Sequence, residues 1–102
     1  MSVYLIFSYD ITDEEGYLPY APSVIPFFKK YDAEVLIADY KAKPIEGTAR
    51  GAYVVVRFDS EEKALAMYND PEYNPSVRAI RFENTAERTA VLVKGFDPST
   101  MK

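Results

Sequence analysis

Ala52-Tyr53-Val54-Val55-Val56-Arg57-Phe58 is a run without a breaker, dominated by β-branched and aromatic side chains. Such a run reads as a strand. Side chains alternate across a strand, so Ala52, Val54, Val56 and Phe58 share one side and Tyr53 and Val55 the other. Both sides are apolar. Val3-Tyr4-Leu5-Ile6-Phe7-Ser8-Tyr9 repeats the pattern, with Val3, Leu5 and Phe7 opposed to Tyr4 and Ile6. An antiparallel strand with one wet face alternates apolar with polar residues. These two do not, so a sheet built on them needs cover on both sides.

Working outward, Asp10 to Gly16 is acidic and turn-like. Tyr17, Tyr20, Ala21, Val24, Phe27, Phe28 and Tyr31 then recur at three- and four-residue steps, which predicts one apolar helical face. Pro19 and Pro22 suit first turns. Pro26 removes a hydrogen bond to the Pro22 carbonyl, which predicts a kink or a locally widened turn. Glu34 to Tyr40 reads as the second strand, and Lys43 to Thr48 as a long hairpin connection.

After the strand that ends at Phe58, Asp59 or Ser60 caps a second helix, with Glu61 and Glu62 at its positive end. Its expected buried stripe is Ala64, Leu65, Met67 and Tyr68. Asp70-Pro71-Glu72 has the signature of a new helix start, with Val77 and Ile80 packing inward beyond it. Thr89 to Lys94 reads as the last strand.

The order β-α-β-β-α-β predicts an α+β, ferredoxin-like plait with both helices on one sheet face. The domain is expected over residues 1–96, with a C-terminal tail over 97–102. The opposite face is apolar and would be an association site. The economical cover is a second copy, so the expected partner is the chain itself, as a homodimer with sheets packed face to face.

The sequence has 102 residues, no cysteine, no histidine and a net charge of −4. Without cysteine there is no thiolate nucleophile, disulfide or redox switch. Without histidine, Ser-His-Asp chemistry and the commonest zinc and iron sites are excluded. No cofactor and no metal site is indicated. The negative charge opposes nucleic-acid binding. RNA-recognition domains share the topology, but Arg50-Gly51-Ala52-Tyr53-Val54 sets its aromatic and small residues in the wrong places for their third-strand motif. The longest apolar run, Val3 to Phe7, is too short for a membrane span, so a cytoplasmic protein is expected.

Several stretches carry a family resemblance. They are Tyr17-x-x-Tyr20, Val24-x-Pro26, Tyr31-Asp32-Ala33, Ile45-Glu46-Gly47 and Val56-Arg57-Phe58-Asp59-Ser60. The most specific is Met67-Tyr68-Asn69-Asp70-Pro71-Glu72-Tyr73. On these the chain resembles the DUF1330 family, a domain of unknown function within the dimeric α/β-barrel superfamily. Met67 stands where that family often has Trp, Asp70 where Ser is usual, and Asp32 where Gly is frequent. A family arginine after the second Tyr of the motif matches Arg81 or Arg78. The resemblance implies a ferredoxin-like protomer that pairs its sheets into a dimeric barrel. It implies no established reaction.

Each candidate site residue has a plain reading beside its functional one. Asp70 to Tyr73 reads plainly as a helix cap with a packing tyrosine, and functionally as the part that sets Tyr68 and Tyr73 at a pocket mouth. Glu46 reads as an exposed hairpin residue, or as a carboxylate base or ligand anchor. Arg81, with Arg78 nearby, reads as a surface or inter-subunit ion pair, or as a clamp on an anion. Arg88 reads as surface. Of the nine tyrosines, Tyr20, Tyr68 and Tyr73 are the ligand-binding candidates, and Tyr68 joins Glu46 as a catalytic candidate. A widened turn at Pro26 would free a carbonyl for ligand or water.

The function expected from these features is binding of a small metabolite between sheet and helices. The alternative, which the fold resemblance allows, is a cofactor-free enzyme of monooxygenase or isomerase type acting on a small aromatic or anionic metabolite.

Overall fold

Strand β1 (Val3–Ile11) pairs antiparallel with β3 (Ala52–Phe58) on one side and β4 (Thr85–Lys94) on the other, and β2 (Glu34–Asp39) pairs with β3. The sheet order is β2-β3-β1-β4. Helices α1 (Glu14–Tyr17) and α2 (Tyr20–Lys30) connect β1 to β2, and α3 (Glu61–Tyr68) and α4 (Ser76–Glu83) connect β3 to β4. This is the ferredoxin-like α+β fold. The computed structural model describes residues 2–96 and 98–100. Of the expected tail over 97–102, Pro98–Thr100 forms a 3₁₀ turn, and residues 97, 101 and 102 lie outside the described residues.

Cross-strand register gives each sheet face its chemistry. On the helix side the rows are Val35–Val56–Leu5–Leu92 and Ala38–Val54–Phe7–Ala90. They pack beneath Tyr20, Val24 and Phe28 of α2 and Ala64 and Met67 of α3. On the other side the central row is Ile37–Val55–Ile6–Val91, with Tyr4–Val93 in the row beside it. Ile37 and Val91 are each 49% exposed. The two-faced pattern of the central strands is thus present as expected.

Several boundaries differ from expectation. β1 continues past Tyr9 because Asp10 and Ile11 pair with Ala86 and Thr85 after a register shift, which also starts β4 before Thr89. The stretch expected to be all turn therefore contributes strand at its start and helix α1 at its end. The Asp13 carboxylate caps α1, accepting from the Gly16 N–H at 3.1 Å. β2 ends at Asp39, one residue before Tyr40.

α2 runs unbroken from Tyr20 to Lys30 with Pro26 inside it, so the widened turn does not form. Asp32, at φ 57°, takes the left-handed conformation just past α2. Glycine adopts that conformation without strain, which accounts for the glycine frequent there in the family it resembles.

Ser60, rather than Asp59, caps α3, accepting from the Lys63 N–H at 3.2 Å. Leu65 does not join the buried stripe; it is 48% exposed, while Ala64 and Met67 face the sheet. Asp70-Pro71-Glu72 does not start a helix. Residues 71–75 form turns, and α4 begins at Ser76. Pro75 has no N–H to extend a ladder from the Asp70 turn, so regular helix waits until it is passed.

Candidate functional site

Arg81 sits in the last turn of α4, where an amphipathic helix would set a cation in water. Instead it is only 1% exposed. Its guanidinium carbon lies 5.0 Å from the Phe7 ring centre, 5.7 Å from Tyr9, 5.8 Å from Tyr20 and 5.0 Å from Phe82. Ring faces attract a cation and partly replace its lost hydration. Nε donates to the Tyr20 hydroxyl at 3.3 Å. The Arg81 carbonyl accepts from Thr85 Oγ1 at 2.6 Å, which fixes the helix end to the start of β4.

Among the described residues, no Asp or Glu forms an ion pair with Arg81, and its Nη2 is buried without a hydrogen-bond acceptor. Burial works against the charge, but the Tyr20 and Tyr73 hydroxyls favour it and the pKa stays above the ordinary arginine value. The group is therefore a cation at any physiological pH. A buried polar group left unpaired costs about 1–3 kcal/mol, and a charged one more.

Arg81 borders a cavity of about 140 Å³ between α2 and the β2 side of the sheet. Phe7, Val24, Phe28 and Val54 supply its apolar walls, and Tyr9, Tyr17, Tyr20 and Tyr40 the hydroxyl-bearing ones. Ile25, Val35 and Tyr40, each 44% exposed, form its outer rim. A wider, open cleft of about 450 Å³ shares Tyr17, Ala21 and Tyr40 with it, and adds Asp10, Glu14 and Lys41. Those three shared residues stand between the outer cleft and the inner cavity.

The tyrosines hold one another. The Tyr9 and Tyr17 hydroxyls share a hydrogen bond, as do those of Tyr20 and Tyr73 at 2.7 Å. Burial pushes the Tyr9, Tyr17 and Tyr20 phenols above their ordinary value. At neutral pH they are hydroxyl donors and acceptors, not phenolate bases.

Tyr73 is fully buried, packed edge-on to Phe27 at 5.7 Å. The Asp70 turn puts it there. Asp70 Oδ2 accepts from Lys30 Nζ at 2.8 Å and from the Tyr31 hydroxyl at 2.6 Å, while Oδ1 accepts from the Glu72 N–H at 2.8 Å. The Asp70 carbonyl accepts from the N–H groups of Tyr73 and Asn74. The most specific stretch of the sequence is thus a clamp from α2 to the turn that carries Tyr73.

Arg81, Tyr20 and Tyr73 come together, with Tyr73 behind the cavity wall rather than at a mouth. Tyr68 packs against Tyr73 with ring centres 5.9 Å apart, but lines a different cavity, with Leu5, Ala64 and Leu92. Glu46 is exposed on the β2–β3 connection and does not line the Arg81 cavity. Arg78 stacks on Tyr68 and Phe82 outside that cavity, so of the two arginines it is Arg81 that reaches it. The ion-pair reading of Arg81 does not hold within the protomer, since the side chain is neither at the surface nor paired. Arg88 is exposed, as expected of a surface residue, and it also donates to the carbonyls of Phe82 and Thr85 and stacks on Phe82 at 4.5 Å.

Tyr9, Tyr17 and Tyr40 also line the cavity but are not among the ligand-binding candidates of the sequence. The available signal was Tyr9 at the inward end of the Val3-Leu5-Phe7 alternation. A hydroxyl there must find a partner or a cavity. Among the described residues, no group of three His, Cys, Asp or Glu side chains is placed to hold a metal ion.

Residues 2–96 match the model of DUF1330, a domain of unknown function, and the chain belongs to that family. No curated protein is significantly similar to it. Among solved structures it is similar to a protein of unknown function from Rhodopseudomonas palustris, with 14% identity over 95% of this chain and 84% of that one, at a TM-score of 0.80. It is also similar to a dimeric, ferredoxin-like protein of unknown function from Bacteroides fragilis, with 16% identity over 92% and 96% of the two chains, at 0.57. The cofactor-independent oxygenase SnoaB from Streptomyces nogalater shares 12% identity over 94% of each chain, at 0.62. At these identities the likeness is one of fold.

Proposed function

We propose that this member of a family without an assigned function is a cytoplasmic homodimer that binds a small metabolite in the cavity between α2 and the sheet. The observation that carries the reading is the cavity itself, walled by apolar side chains and tyrosines and bordered by a buried cation. Ligand sites are typically of this kind, an apolar hollow with few polar groups. The row Ile37–Val55–Ile6–Val91 on the opposite face supports the dimer, because a second copy of the same row is its natural cover.

The cofactor-free enzyme is the second reading, supported by the oxygenase of similar fold. It requires a proton acceptor near the ligand. Among the described residues lining the inner cavity there is no carboxylate, and burial holds the Tyr9, Tyr17 and Tyr20 phenols protonated. Binding without chemistry therefore fits these residues better, with Glu46 and Tyr68 outside the cavity.

A thermal-shift screen of small metabolites on the wild type and on Ala38→Phe, which fills the cavity from β2, tests the reading. The expected result is a ligand that raises the Tm of the wild type and not of the variant. Equal protection of both proteins, or no protection by any compound, would count against it. Turnover of the bound compound would favour the enzyme.

A further inference from the structure

We infer that the ligand is a small organic monoanion, a carboxylate on a compact apolar or aromatic body, whose charged end meets Arg81. The inference rests on the reading of the cavity as a binding site and specifies its chemistry.

Three observations converge on it. Arg81 is 1% exposed, borders the cavity and is unpaired by any carboxylate among the described residues, and its Nη2 lacks an acceptor. A guanidinium presents N–H donors in a planar fork that suits the two oxygens of a carboxylate. Because Nε is already given to the Tyr20 hydroxyl, the vacant donor lies on the terminal side of the fork.

The remaining walls choose the body of the ligand. Phe7, Val24, Phe28 and Val54 offer no polar atom, and the Tyr9, Tyr17 and Tyr20 hydroxyls are already hydrogen-bonded, so the part beyond the carboxylate is a hydrocarbon or an aromatic ring. Size follows from volume. A cavity of roughly 150 Å³ holds a benzene-sized guest, and this one is about 140 Å³. A single negative charge matches the single buried cation. A second would have no partner at the inner cavity, where no other basic residue is present among the described residues.

Benzoate and benzamide separate the elements of the inference. They are alike in shape and differ in charge. Calorimetric titration of the wild-type protein at pH 7 is expected to give benzoate an affinity at least about tenfold above that of benzamide. Inorganic phosphate is expected not to bind. Arg81→Met is expected to fold, to lower benzoate affinity by about tenfold or more and to leave benzamide within about threefold.

Equal binding of the two aromatic probes would overturn the anion and leave the binding site standing. Phosphate binding as strong as that of benzoate would overturn the apolar body. Failure of both aromatic probes to bind would overturn the inference and the binding site together. If Arg81→Met does not fold, the benzoate-to-benzamide ratio on the wild type decides alone.

Discussion

Asp70 accepts from an ammonium, a phenol and a backbone N–H, so its proton is held weakly. Lys30 first, then Tyr31 and the Glu72 N–H, bring its pKa down to about 2. A depressed carboxylate pKa stabilises the fold above the unfolded value, near about 4, and that contribution fades as pH falls through the folded one. The wild-type Tm is therefore expected to drop as pH is lowered from about 5 to about 2. Asp70→Asn is expected to lower the Tm by several degrees at pH 7 and to make the acid decline shallower. An unchanged acid decline in the variant would show that other groups govern it. At this scale the sequence was partly legible. That the Asp70 carboxylate would accept a nearby backbone N–H was legible, because its Pro71-Glu72 neighbours are local, but it closes a turn and not the helix start expected there. That its other oxygen would tie down α2 was not legible, because Lys30 and Tyr31 lie far away along the chain.

At the scale of elements, local pattern was a sound guide wherever the stabilising contact is local. β3 matches its expected bounds, and Ser60 was one of two expected caps for α3. Removing a serine cap costs about 0.5–2 kcal/mol. Ser60→Ala is thus expected to lower stability in urea by about 1 kcal/mol, with the slope of the transition unchanged. A loss too small to measure would mean that the Lys63 N–H finds another acceptor. The extension of β1 and β4 was not legible, because it depends on Asp10 and Ile11 finding Ala86 and Thr85 across the sheet. Nor was the division between α1 and α2. Tyr17 and Tyr20 satisfy one helical period, yet Leu18 and Pro19 lie outside both helices between them.

For the whole molecule, the sheet separates two faces of different chemistry. Its helix side holds the aromatic cavity with Arg81, and its open side carries the apolar row through Ile6. Alternation along the strands makes that division readable without a structure. The site was less readable. Tyr20 and Arg81 could be named, but the burial of Arg81 and its lack of a carboxylate depend on how α4 lies over β1. If the open side joins two copies, the wild type runs at twice the 11.6 kDa protomer mass. Ile6→Asp sets two like charges at the centre of the contact and is expected to give the protomer mass by light scattering. A variant that stays dimeric would place the contact elsewhere.

The account turns on what fills the space beside Arg81. A crystal structure of the protein with saturating benzoate measures this most directly. The expected result is a carboxylate oxygen at hydrogen-bond distance from the Arg81 guanidinium, with the ring against Phe7, Val24 and Phe28. A cavity holding only water, or benzoate seated with its ring toward the guanidinium, would contradict the account.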